Sequence, residues 1–119
     1  MASRLQRAWK HWQVALGRVD VLRNGDPRAF IYHERKAAAW ALLSAKLAPS
    51  GKPRTRAVPL SSAMWSYWNA GDVVAARSVA NDLLAGPYEE YFHAQAREVL
   101  TTTTPAPSRE RRKKAGGGG

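Results

Sequence analysis

Apolar residues recur at helical spacing along most of the chain. Leu5, Ala8, Trp9, Trp12, Ala15, Leu16 and Val19 follow an i, i+3, i+4, i+7 pattern, which predicts a first amphipathic helix. Ser3 is placed to cap its start. Asn24-Gly25 is placed to stop it, because both residues tolerate the left-handed backbone of a helix end. Arg4, Arg7, Lys10, His11 and Arg18 fall mostly off the apolar stripe. Asp26-Pro27 then opens a second helix, expected from Arg28 to about Leu47. Its apolar side reads Ala37, Trp40, Ala41, Leu43 and Leu47, with Phe30 and Ile31 near the start. The run Ala37-Ala38-Ala39 allows two helix backbones to approach closely. A short turn between these helices predicts an antiparallel hairpin.

Periodicity breaks over residues 48–59, where three prolines and a glycine predict a loop. Lys52, Arg54 and Arg56 make that loop basic. A third helix is expected from about Leu60 to Ala70, with Ser61 or Ser62 near its start. Gly71 ends it, and Asp72 caps a fourth helix reaching about Ala85. Gly86-Pro87 ends that helix, and a fifth is expected from about Pro87 to Leu100. Glu89 and Glu90 suit the positive end of its dipole. No strand pattern competes. The expected fold is therefore all-α with about five helices. It forms one domain over residues 1–100, divided into a basic hairpin (1–47), a basic loop (48–59) and a helical remainder (60–100). Residues 101–119 are low-complexity and basic, a composition that predicts a disordered tail.

Charge changes the picture more than composition does. Residues 1–58 carry twelve Lys/Arg against three Asp/Glu, or +9. Residues 59–100 carry two against five, or −3, and residues 101–119 five against one, or +4. A basic half of this kind attracts phosphate polymers, anionic membranes and acidic proteins alike. The chain has no cysteine, so disulfides, thiolate metal sites and a cysteine nucleophile are excluded. No apolar run is long enough to span a bilayer, and the N-terminal residues lack the apolar core of a secretory signal. A cytoplasmic location is expected. The mitochondrial matrix is the alternative, because Arg4, Arg7, Lys10 and Arg18 precede the first acid on an amphipathic pattern.

Residues 65–87 combine an aromatic on one helix, a Gly71-Asp72 turn, small residues Ala76 and Ala80 on the next helix, and Pro87 after it. This stretch resembles the latter part of a tetratricopeptide repeat. The resemblance assigns Tyr67 as the packing aromatic and implies helices that bury their faces by stacking on neighbours. The Trp and Leu-Gly that the family carries early in its first helix are replaced here by the region of Ala63 and Met64. A fainter echo pairs Asn24-Gly25-Asp26 with Ala70-Gly71-Asp72, and the common chemistry of short helix–helix turns accounts for it.

Catalytic constellations are not found. His11, His33 and His93 have no second histidine or suitable carboxylate at metal-ligand spacing, and His33-Glu34 lacks the distal histidine of a metalloprotease helix. Asp26 and Asp72 read as caps, and no glycine-rich phosphate loop opens a helix. The expectation is a non-enzymatic chain without cofactor or metal. It would act as a small helical adaptor for a protein partner, with Tyr67, Trp68, Tyr88, Tyr91 and Phe92 as the aromatic candidates. The alternative is nucleic-acid binding through phosphate contacts of residues 1–58 and the tail. Its candidates are Lys52, Arg54, Arg56, Arg109, Arg111, Arg112, Lys113 and Lys114, and it requires a continuous positive face. Neither of those basic stretches interleaves aromatics, as base stacking would require. A third reading, association with an anionic membrane through the first helix, requires Trp9 and Trp12 to face solvent.

Overall fold

The computed structural model describes residues 2–102, and within them the chain is all-helical. Five helices follow in order: α1 (Arg4–Val21), α2 (Pro27–Leu47), α3 (Pro53–Asn69), α4 (Val73–Ala85) and α5 (Glu90–Thr101). The basic tail residues Arg109, Arg111, Arg112, Lys113 and Lys114 lie outside the described residues.

Local chemistry explains most boundaries. Ser3 Oγ accepts from the Gln6 amide at 3.1 Å while Gln6 Oε1 accepts from the Ser3 amide at 2.8 Å, a reciprocal capping box. Asp26 accepts from the Arg28 amide at 3.0 Å, with Pro27 in the first helical position. Asp72 caps α4 through the Ala75 amide at 3.1 Å. Gly71 has φ +81°, the only positive φ among the described residues, so the α3–α4 turn does need glycine. The α1–α2 turn does not work as expected. Gly25 closes back on the Leu22 carbonyl at 2.9 Å with no left-handed residue. At Gly86 the Tyr88 ring lies where a Cβ would project, so a close approach explains that glycine.

The largest departure from expectation is at residues 53–59. They belong to α3, and the loop shrinks to the residues just after α2. Pro53 occupies the first turn, where proline fits. Pro59 lies inside the helix, at an interior cost of about 3 kcal/mol. Burial offsets that cost: Ala57, Pro59, Leu60, Ala63 and Met64 all enter the core. Ser61 and Ser62 are consequently not near a helix start. They sit mid-helix and tie α3 to its neighbours. Trp12 Nε1 donates to Ser62 Oγ at 3.1 Å, and Ser61 Oγ and Trp65 Nε1 both donate to Gln95 Oε1, at 2.8 and 2.7 Å.

Packing runs α1–α2, α2–α3, α3–α4 and α4–α5, with a smaller α3–α5 contact. This is a sequential stack, with α3 in the middle. Two apolar clusters fill it. The first joins Trp12 and Ala15 of α1 to Ala37, Ala38 and Ala41 of α2 and Ala63 of α3. The second is built on Met64, Trp68, Ala76, Ala80, Leu83, Phe92 and Val99. The buried face of α2 is rotated from the one its apolar residues suggested. Phe30, Glu34, Ala37, Ala38, Ala41, Ser44 and Ala45 point inward, while Trp40, Leu43 and Leu47 are half-buried at the edge. Ser44 satisfies its hydroxyl on the Trp40 carbonyl at 2.9 Å, which lets a polar residue sit in the seam.

Candidate functional site

On the side of the hairpin flanked by Arg4 and Arg18, α1 and α2 enclose a cleft. Residues off the buried stripe of α1 recur at helical spacing, Arg4, Arg7, His11, Val14 and Arg18, and so share one flank of that helix. Tyr32, Lys36, Trp40, Leu43 and Leu47 do the same on α2. Because the helices are antiparallel, the two flanks face each other along their length. At one end a hollow of about 330 Å³ lies among His11, Val14, Arg18, Tyr32, His33 and Lys36. At the other, a hollow of about 180 Å³ lies among Arg4, Arg7, Leu43 and Leu47. His11 and Trp40 line both, so the two hollows adjoin. Their rings stack at 4.4 Å with an interplanar angle of 19°. The Tyr32 ring meets His33 edge-on at 5.0 Å and stays 61 % exposed. The lining includes four always-charged or ammonium side chains and no carboxylate. These four cations give the groove a positive potential.

The residues singled out from sequence are scattered by comparison. Trp68 and Phe92 are core side chains. Tyr67 is half-buried and packs against both clusters, and its hydroxyl pKa is raised, first by burial and then by the Asp72 charge, with Arg35 opposing. Tyr88 is half-buried, and with Phe92 lines a notch of about 150 Å³ between the starts of α3 and α5. Only Tyr91 is largely exposed, edge-on to Phe92 at 5.2 Å. These five do not form one surface.

The basic candidates at 52–56 do not form a free patch either. Arg54 pairs with Glu89 at 3.0 Å. Arg56 donates to the Ala45 and Ala48 carbonyls at 3.2 Å each, so its charge sits at the negative end of α2. Lys52 is exposed just before α3. Trp12 is only 3 % exposed, and Trp9 packs half-buried with its ring edge against Trp12 at 4.7 Å. The solvent-facing tryptophan pair needed for the membrane reading is therefore not formed.

Chemistry-bearing side chains remain dispersed. Among the described residues, no three His, Cys, Asp or Glu side chains gather to hold a metal ion. His93 Nε2 lies 3.1 Å from the Gly86 carbonyl, at the α4–α5 junction. No helix among the described residues is long and apolar enough to cross a membrane.

No family model, curated protein or solved structure matches this chain. The cleft residues Arg4, Arg7, His11, Arg18, Tyr32, Lys36 and Trp40 lie within the basic region 1–58, but the individual residues singled out there from sequence were Lys52, Arg54 and Arg56. The spacing of the cleft residues on each helix was the available signal. What was missing was the rotation of α2, which turns Trp40 and Lys36 toward α1.

Proposed function

We propose that this chain is a non-enzymatic helical adaptor that holds a polyanionic partner along its α1/α2 hairpin. The observation that carries the reading is the cleft bounded by Arg4, Arg7, Arg18 and Lys36, whose lining contains no acid. Sequential stacking supports it. A stack leaves the outer side of its end helices uncovered, and the partial resemblance of residues 65–87 to a tetratricopeptide unit belongs to the same mode of construction. An acidic segment of another protein and nucleic acid both carry such charge, and the aromatic rings interleaved with the cations favour nucleic acid.

Backbone amide shifts of the labelled full chain, recorded while a glutamate-rich peptide or an oligonucleotide is added at low salt, test the reading. The expected result is a set of shifts confined to the cleft flanks of α1 and α2, for at least one of the two anions. Shifts that spare α1 and α2 for both would refute it.

A further inference from the structure

We infer that the α1/α2 cleft takes single-stranded nucleic acid, with phosphates on Arg4, Arg7, Arg18 and Lys36 and bases against Tyr32 and the His11–Trp40 stack. This inference rests on the polyanion reading above and narrows it to one partner class.

Charge alone does not distinguish a phosphate polymer from an acidic peptide. The rings do. Binding sites for single strands combine a cationic track with flat side chains on which bases stack, and every base has a face to offer. Here the two features share one groove. Tyr32 presents its ring at one end, 61 % exposed. His11 is exposed and lies flat on Trp40 at the middle, so its outer face continues an existing stack. Length is compatible too. Arg4 and Arg18 are fourteen residues apart on α1, or about 21 Å at ~1.5 Å per residue. A stacked strand places about six phosphates over that distance at ~3.4 Å each. Two competing surfaces fit less well. A bilayer needs a broad apolar face, whereas the exposed large apolar side chains near the cleft are only Val14 and Tyr32. A duplex carries more charge per length, but its bases are already stacked and paired.

That last contrast makes the inference testable. Pure electrostatics favours the duplex, so a preference for the single strand reports stacking. The experiment is fluorescence anisotropy of the full chain with three labelled probes at low salt: a twelve-nucleotide oligouridine, a twelve-base-pair duplex, and a twelve-residue oligoglutamate. Tyr32→Ala and Tyr32→Phe are measured alongside. Tyr32 is exposed, so neither change disturbs the core. The expected result is tightest binding to oligouridine, about 5- to 150-fold weaker with Tyr32→Ala, the range for one lost base–ring stack. Tyr32→Phe should restore most of it. Comparable binding of all three probes, with no effect of Tyr32→Ala, would overturn the nucleic-acid inference and leave the polyanion adaptor standing. Tight binding of oligoglutamate alone would do the same and identify an acidic protein segment. Binding of none would remove both.

Discussion

The hairpin α1–α2 and the three-helix remainder α3–α5 solve the packing problem differently. In the remainder, large side chains fill the interior: Met64, Trp68, Leu83, Phe92 and Val99 are all buried. Polar side chains there are used across helices, as where Gln95 accepts from both Ser61 and Trp65. The middle of the hairpin is instead sealed largely by alanines, with Ala15, Ala37, Ala38 and Ala41 clustered around Trp12, while Val19 and Phe30 are the large buried side chains nearer the turn in sequence. Small residues bring the backbones together and leave the long side chains at the rim. His11, Arg18, Tyr32, Lys36 and Trp40 therefore become the walls of a cleft instead of core. A seam of small residues thus leaves long charged and aromatic side chains at the surface, whereas a seam of large residues buries them.

Substitutions in the two regions should differ in cost. Trp68→Ala empties the fully buried centre of the second cluster and should cost about 3–5 kcal/mol in a denaturant titration. Trp40→Ala, on the half-buried cleft wall, should cost clearly less while weakening partner binding. Ala38→Leu overfills the alanine seam and should cost about 1–3 kcal/mol by the same measurement, with the hairpin affected first in hydrogen exchange. Gln95→Leu removes the acceptor shared by Ser61 and Trp65 and should cost about 1–3 kcal/mol, loosening α5 without altering the hairpin. The smallest effect concerns Tyr67, which touches both clusters. Its raised pKa means the fold prefers the neutral phenol. That contribution is complete below the ordinary tyrosine value of 10.0 and is lost as pH rises through the raised value. Thermal melts of Tyr67→Phe should show a shallower alkaline decline than the unmodified chain.

The two regions also differ in how far the sequence revealed them. The helix count, the hairpin and the α4 boundaries followed from periodicity, caps and the Gly71-Asp72 turn, because those signals are local. The start of α3 did not, because prolines at 53 and 59 outweigh every other local signal. The burial that offsets Pro59 becomes visible only once the neighbouring helices pack on α3. The buried face of α2 was misjudged for a related reason. Glu34 and Ser44 look like surface residues and Trp40 and Leu43 like core, yet close packing on α1 and α3 reverses their places. That same rotation hid the cleft: three of its four cations lie on α1, but the opposing wall of Tyr32, Lys36 and Trp40 follows only from the placement of α2. The basic residues that were conspicuous in sequence, Arg54 and Arg56, are largely occupied in holding α5 and α2.

The most direct test separates the folded cleft from the basic tail. Binding of the full chain to oligouridine is followed against salt for three proteins: the unmodified chain, the cleft variant Arg7→Gln/Arg18→Gln/Lys36→Gln, and a tail variant with glutamine at 109 and 111–114. Each lost phosphate contact lowers the log–log salt slope by about 0.7 for a single strand. The cleft variant should therefore bind much more weakly, with a slope shallower by about 2. The tail variant should still bind oligouridine. A cleft variant that binds like the unmodified chain, beside a tail variant that no longer binds, would contradict the account.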